Sequence, residues 1–303
     1  MEKRKIGSLE VTVVGLGCNN FGWRIDAQGT AAVVDAAIDA GINFFDTADI
    51  YGGGKSEEFL GQALGARRKT IVLATKFGMK FDEKRVGAKP AYIRQAVEDS
   101  LKRLGTDYID LYQLHQADAS TPIADTLGAL DELVKAGKVR EIGCSNFSAA
   151  QLREAEAAVG PGKARFVSVQ NHYSLMHREP EAEVLPECSR AGIAFIPYFP
   201  LANGLLSGKY HRGEAPPKGS RGADGFGPKM FSDEHLAKAD ALAEYAKSKG
   251  HSLLELAMSW LASHAQVASV IAGAKTAEQA KANARAADWR LSQEELADVA
   301  RLL

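Results

Sequence analysis

Short apolar runs alternate with longer segments of helical periodicity along the whole chain. In the longer segments apolar residues recur every three or four positions, as in the row Ile93, Val97, Leu101 and Leu104, which predicts amphipathic helices that cover a sheet. The short runs are bounded by turn residues and predict strands. Eight strands are predicted, at residues 13–17, 43–46, 71–76, 108–115, 140–144, 166–170, 193–198 and 268–273.

Eight strands that each precede a helix are typical of a closed (β/α)8 barrel, the TIM barrel, rather than of an open doubly wound sheet. Residues 4–6 and 10–12 around Gly7 and Ser8 predict a β-hairpin that plugs the bottom of this barrel. After the seventh barrel strand, residues 202–231 form a loop too long for a plain connection, and such loops usually carry function. No linker divides the sequence, so we expect one domain over residues 1–303.

Composition narrows the class of protein. With 46% apolar and 25% charged residues and a net charge of -1, the chain is globular and carries no electrostatic footprint for nucleic acid. Its apolar stretches are far shorter than the roughly 20 residues that span a bilayer, and no signal peptide is evident. Three widely spaced cysteines make no disulfide framework. We therefore expect a cytoplasmic protein without nucleic-acid or membrane partners.

Common phosphate and metal motifs are incomplete. The GKS at residues 54–56 would end a P-loop, but Asp49 stands where that motif needs glycine. The GLG at residues 15–17 lacks the remaining glycine of a dinucleotide fingerprint. His172 and His177 are five residues apart without a nearby Cys or carboxylate pair. We expect no metal site, and we interpret both histidines as ordinary loop residues.

Three successive predicted strands end in polar residues, Asp46, Lys76 and His115, and Tyr51 follows in the loop after the first of them. The carboxyl ends of barrel strands share one mouth, so we expect these side chains to converge. A buried lysine needs a partner, and Asp46 is the natural one. A phenol beside that ammonium is easier to ionise and could deliver a proton, while a neutral His115 would aim a carbonyl oxygen. Each residue alone has a structural explanation; their joint occurrence favours a catalytic site.

With these residues in place, the sequence resembles the aldo-keto reductase superfamily over nearly its whole length. The matching segments are GINFFDTA at 41–48 with Tyr51 and Gly52, the Lys76 strand, Leu114 with His115, GCSNF at 143–147, QN at 170–171, YFPL at 198–201, GLLSGKY at 204–210, and GAK at 273–275 with Gln279 and Asn283. The resemblance implies a (β/α)8 barrel that binds NADP(H) and transfers hydride between the nicotinamide and a carbonyl carbon.

The resemblance also implies residue roles. Tyr51 would be the general acid, Lys76 and Asp46 would tune it, and His115 would orient the substrate oxygen. The nicotinamide carboxamide would bond to Ser145, Asn146 and Gln170, and the ring would stack on Tyr198. The pyrophosphate would lie along Pro200, Leu201 and Gly204, with Lys275 on the 2′-phosphate and Gln279 and Asn283 on the adenine. Phe199, Lys209 and Gly273 complete the implied cofactor site, and Lys275 favours NADPH over NADH.

The substrate, a small carbonyl compound, would lie between the loops that follow the first strand, Lys76 and His115. Apolar residues near these loops are the candidates for its wall: Phe21, Trp23, Phe77 and Tyr112. Trp23 is the favoured candidate, because an aromatic side chain in a short polar loop needs something to cover. The oligomeric state does not follow from the fold.

We therefore expect an NADPH-dependent oxidoreductase that reduces an aldehyde or ketone. One alternative is a cofactor-binding regulatory subunit that resembles the beta subunits of potassium channels. Another is a barrel isomerase or aldolase that uses Lys76 as a Schiff base, which the pairing with Asp46 disfavours because it keeps the amine protonated.

Overall fold

The first two strands form an antiparallel hairpin, β1 (Lys3–Ile6) and β2 (Leu9–Thr12), in the computed structural model, which describes residues 1–224 and 228–303. Gly7, with φ at 56°, makes the tight turn between them. The backbone N–H of Ser8 donates to Oε1 of Glu141 at 2.8 Å, which ties the hairpin tip to the barrel. The predicted hairpin is thereby confirmed.

Eight parallel strands follow, in the order β10-β3-β4-β5-β6-β7-β8-β9. They are β3 (Val14–Gly17), β4 (Phe44–Asp46), β5 (Val72–Phe77), β6 (Ile109–Leu114), β7 (Val139–Ser145), β8 (Phe166–His172), β9 (Ala194–Tyr198) and β10 (Val270–Gly273). The two end strands meet near their starts, where the Phe195 amide donates to Gln266 O and the Ala268 amide to Phe195 O. The (β/α)8 barrel is confirmed, with bounds that differ from the predicted ones by one or two residues.

Helices cover the outside of the barrel. They are α1 (Ala27–Asp39), α2 (Lys55–Leu64), α3 (Pro90–Leu104), α4 (Ile123–Lys135), α5 (Ala149–Ala157), α6 (Val184–Ala191), α7 (Asp233–Ser248), α8 (Leu253–Ala262), α9 (Ala277–Arg285) and α10 (Gln293–Arg301). Reciprocal capping boxes at Ser148, Ser252 and Ser292 begin three of them. No helix within the described residues is long and apolar enough to cross a membrane.

The loop predicted at residues 202–231 follows β9 and contains 3-10 turns at Ala202–Ser207 and Pro228–Phe231. Residues 225–227 of that loop lie outside the described residues.

The barrel interior is layered, because alternate residues of each strand point inward. Ile6, Leu9 and Val11 of the hairpin pack with an apolar layer that includes Phe44 and Val72. Further along the same strands the inward positions become polar, at Asp46 on β4 and, after Ala74, at Lys76 on β5. The apolar layer and the hairpin thus close the bottom, and the chemistry is confined to the carboxyl ends of the strands.

Helices α2 and α3 pack closely at Gly61, where an added Cβ would lie 2.4 Å from the backbone oxygen of Leu104. We expect Gly61→Ala to lower the free energy of unfolding by about 1–3 kcal/mol, because backbone must shift to accept the methyl group. Gly128 of α4 is the matched control, since its Cβ would meet nothing within 4 Å. Gly128→Ala should raise stability by up to about 1 kcal/mol. Urea unfolding of both variants checks this, and equal midpoints would contradict it.

Candidate active site

The polar layer is centred on a buried ion pair. Lys76 Nζ donates to Asp46 Oδ2 at 2.6 Å and to the backbone oxygen of Thr47 at 2.8 Å. The other carboxylate oxygen, Asp46 Oδ1, accepts from the side-chain amides of Gln113 at 3.1 Å and Gln170 at 2.8 Å. Four strands thus meet at one carboxylate. The predicted pairing of Lys76 with Asp46 is present, and neither charge is left without hydrogen bonds.

Tyr51 reaches this pair from the turn after β4. Gly52 follows it with φ at 59°, and an added Cβ there would lie 2.8 Å from Phe21 O, so the turn requires glycine. The Tyr51 ring centroid is 5.2 Å from Lys76 Nζ and 5.8 Å from the ring of His115, which it meets edge-on. Two of the predicted residues, Lys76 and His115, therefore flank the phenol ring.

The protonation states of the site follow from burial and charge. Burial raises the pKa of Tyr51 and outweighs the opposing effect of the Lys76 charge, so the phenol stays protonated, contrary to the expectation of easier ionisation. Burial opposes the charge on Lys76, but Asp46 prevails and raises the pKa of the ammonium. Burial and Lys76 hold the pKa of His115 well below its usual value. The site thus combines a phenol, an ammonium and a neutral imidazole.

A cavity of about 590 Å³ opens above these groups. Tyr51, Asp46 and His115 reach its surface, whereas Lys76 is fully buried behind them. Every residue that the resemblance assigned to the cofactor lines it: Ser145, Asn146, Gln170, Tyr198, Phe199, Pro200, Leu201, Gly204, Lys209, Gly273, Lys275, Gln279 and Asn283. The structure therefore brings the predicted catalytic and cofactor residues to one cavity.

The residues assigned to the nicotinamide form a connected network at one end of the cavity. Asn146, in the left-handed region at φ 59°, accepts from the Tyr198 hydroxyl at 2.8 Å and donates to His115 O at 2.9 Å. Ser145 Oγ donates to Gln170 O at 2.7 Å. The side-chain nitrogen of Gln170 donates to Asp46, so the side-chain oxygen of Gln170 is the group left to bind a ligand. Positive φ at a non-glycine residue marks a conformation held by its surroundings.

Four cations line another part of the cavity: Lys209, Lys275, Arg24 and Arg221. Lys275 Nζ donates to Gly219 O at 2.7 Å, and Arg24 pairs with Asp224 at 3.0 Å. Burial, followed by the charge of Arg24, lowers the pKa of Lys275, and the same two causes lower that of Arg221. Mutual repulsion of this kind is relieved by an anionic ligand, which fits the phosphates of a dinucleotide.

Sequence reasoning missed part of the cavity lining. The residues are Gly17, Cys18, Asn19, Asn20, Arg24, Met79, Asn203, Ser207, Arg221, Leu254, Ile271, Ala272 and Ala282. Arg24 follows Trp23 in the loop after β3, and Arg221 belongs to the long loop at residues 202–231, so the positive charge of each was a signal available in the sequence.

The candidates for the substrate wall lie elsewhere. Phe77 and Tyr112 are fully buried and stack on each other at 4.7 Å, facing the helices. Each is next in sequence to an inward residue, so strand alternation turns it outward. Phe21 is buried in the same core. Trp23 is 57% exposed with the Arg24 guanidinium 4.5 Å above its ring, and it does not line the cavity.

His172 and His177 are not both loop residues, because β8 extends to His172. Their rings stack with centroids 3.8 Å apart. Within residues 1–224 and 228–303, no three His, Cys, Asp or Glu side chains are grouped so as to hold a metal ion. Cys18, Cys144 and Cys188 are unpaired and buried.

A sequence model described as the Aldo/keto reductase family matches residues 13–303. The oxidoreductase YqkF of Bacillus subtilis is 37% identical, over 98% of this chain and 94% of that protein. A probable voltage-gated potassium channel subunit beta of Oryza sativa is 35% identical, over 88% of this chain and 84% of that protein.

Solved structures agree with these sequence relatives. An aldo-keto reductase from Bacillus halodurans, in its holo form, superimposes with a TM-score of 0.84 at 34% identity and covers 100% of this chain and 96% of that one. A glycerol dehydrogenase from Gluconobacter oxydans has the same TM-score at 31% identity, over 97% of this chain and 92% of that one.

Asp49 lies between Asp46 and Tyr51 but takes no part in the cavity. Its side chain is buried beside Glu57, and its Oδ1 has no partner among the described atoms. Burial, reinforced by the Glu57 charge, raises the pKa of Asp49 to about 7. A carboxyl group whose pKa is raised by folding stabilises the folded protein fully below its pKa in the unfolded chain, near 4. This stabilisation is lost as the pH rises through about 7.

We expect Asp49→Asn to remove this pH dependence, because the amide keeps the shape of the neutral acid. Between pH 4 and pH 8 the free energy of unfolding of the wild type should fall relative to the variant by up to about 4 kcal/mol. Urea unfolding at both pH values measures the difference. A difference between the two proteins that does not change with pH would contradict the assignment.

Proposed function

The chain belongs to the aldo/keto reductase family, and from that premise we propose that it is an NADPH-dependent oxidoreductase that reduces an aldehyde or ketone to the alcohol with Tyr51 as general acid. The observation that carries the proposal is the protonated Tyr51 at the cavity surface, backed by the buried Lys76–Asp46 pair and flanked by neutral His115. Family membership supports NAD(P)-dependent carbonyl reduction as a class.

The chemistry at the oxygen atom belongs to the protein. When bound, the cofactor supplies the hydride that the carbonyl carbon accepts. The Tyr51 hydroxyl donates its proton to the carbonyl oxygen, which leaves a phenolate. The Lys76 ammonium stabilises that phenolate, and Asp46 keeps the ammonium charged. Neutral His115 offers its ring to orient the same oxygen without competing for the proton.

The donors and cations of the cavity suit a dinucleotide. Asn146, Gln170 and Tyr198 would hold the nicotinamide end, and the segment around Pro200 and Gly204 the pyrophosphate. Lys275, two residues before α9, would pair with the 2′-phosphate, supported by the repulsion it experiences from Arg24 and Lys209. NADPH, with its additional phosphate, gains more than NADH from this cluster.

Tyr51→Phe removes the hydroxyl group that would donate the proton and keeps the aromatic ring. We expect the rate of NADPH consumption with a reactive aldehyde to fall by ~10²–10⁴ while the Kd for NADPH changes little, because the lost group acts on the substrate oxygen. A panel of aldehydes, ketones and quinones, assayed with wild type and variant, measures both the effect and the substrate range. Equal rates for the two proteins would refute the role of Tyr51.

Lys275→Ala tests the cofactor preference. Loss of a charge-assisted contact to phosphate should raise the Kd for NADPH roughly ten- to a hundredfold and leave the Kd for NADH nearly unchanged. Lys281→Ala is the matched control, since this exposed lysine of α9 does not line the cavity. Fluorescence titration of the wild type and both variants with NADPH and NADH measures these constants. Equal weakening of both cofactors would show that Lys275 does not read the 2′-phosphate.

A second candidate is a cofactor-binding regulatory subunit, because relatives from Oryza sativa and Arabidopsis thaliana are named probable potassium channel beta subunits. The two functions differ in turnover. Wild-type protein that binds NADPH but reduces nothing in a broad panel would favour the regulatory function.

The three unpaired cysteines support a reducing compartment, and we propose the cytoplasm.

A further inference from the structure

Three aromatic rings stack behind one wall of the cavity. Tyr198 lines the cavity, the His172 ring lies 5.4 Å behind it at an interplanar angle of 12°, and the His177 ring lies 3.8 Å behind that at 10°. Strand register explains the first contact, because His172 of β8 is paired with Tyr198 of β9. We call Tyr198, His172 and His177 the ring stack.

The ring stack makes further contacts with neighbouring side chains. Phe199, held at φ 53°, meets the His172 and Tyr198 rings edge-on at 5.7 and 5.1 Å. His177 Nδ1 lies 2.9 Å from a Glu179 oxygen at the solvent-facing end of the stack. Burial and the neighbouring His177 lower the pKa of His172 to about 4, so its ring is neutral near pH 7. His172 Nε2 has no hydrogen-bond partner within the described residues. His172 therefore offers a flat, uncharged surface rather than a polar contact.

Tyr198 gains from such a surface because its side-chain hydrogen bond holds only the hydroxyl end of the ring. The hydroxyl donates to Asn146 Oδ1 at 2.8 Å. The phenol oxygen of Tyr198 lies on the axis about which the ring turns, so this bond fixes the position of the oxygen directly and the ring plane only through the preference of the O–H for that plane. The parallel imidazole of His172 and the edge of Phe199 are the contacts that select one plane.

We propose that His172 is a positioning residue that holds the Tyr198 ring in the plane on which the nicotinamide stacks, and so sets the affinity for that end of the cofactor. The proposal rests on the proposed function, which gives Tyr198 the stacking role. His172 acts only through Tyr198, since it does not line the cavity itself.

The test compares two ligands, NADPH and adenosine 2′,5′-bisphosphate, which carries the phosphates and adenine but no nicotinamide. We expect His172→Ala to raise the Kd for NADPH roughly two- to tenfold and to leave the Kd for the bisphosphate unchanged, because only the nicotinamide end depends on Tyr198. His172→Phe restores a flat neutral ring and should return the Kd for NADPH to within about twofold of the wild type.

A matched control removes a stacked imidazole elsewhere. His251 stacks on Trp289 at 4.2 Å and does not line the cavity, so His251→Ala should leave both constants unchanged. The proposal is overturned if His172→Ala weakens both ligands equally, if it weakens neither, or if His172→Phe is no tighter than His172→Ala. Wild-type protein that binds no NADPH would instead refute the proposed function, and this proposal with it.

Discussion

The ammonium group of Lys76 is fully buried inside the barrel, and its charge is stabilised by the Asp46 carboxylate. An isolated charge in such a place would cost several kcal/mol and would be lost by deprotonation. Asp46 in turn depends on amides from β6 and β8, so side chains from four strands must arrive in register. The apolar layer and hairpin below, and the glycine turn that returns Tyr51 above, position these groups. The geometry of the candidate site and the assembly of the barrel therefore depend on the same contacts.

The barrel and this cluster could be predicted because their signals are local. Each strand is a short apolar run, and Asp46, Lys76 and His115 stand where those runs end, so strand count and strand ends sufficed. Strand alternation could also have placed Phe77 and Tyr112, since each is next to an inward residue and must face the helices. They were assigned to the substrate wall for their aromatic character, whereas their position along the strand places them between the barrel and its helices.

Other features depend on contacts that no local pattern reveals. Arg24 and Arg221 are separated by nearly the whole barrel in sequence, and their approach to Lys275 is visible only once the loops after β3, β9 and β10 are placed. The stacking of His172 on Tyr198 required β8 to extend two residues beyond its predicted end. The pKa of Tyr51 is raised rather than lowered, because burial of the phenol in the folded protein outweighs the effect of its charged neighbour Lys76.

The three buried cysteines have a chemical consequence of their own. Burial raises the pKa of Cys18 and Cys144 well above the usual thiol value and that of Cys188 to about 12. Alkylation and oxidation proceed through the thiolate, which these groups scarcely populate at neutral pH. Cys18 borders the cavity, yet an electrophile that enters meets a protonated sulfur beside the Asp46 carboxylate. The same desolvation that raises the pKa of Tyr51 therefore makes these thiols poor nucleophiles toward an electrophilic ligand of the cavity.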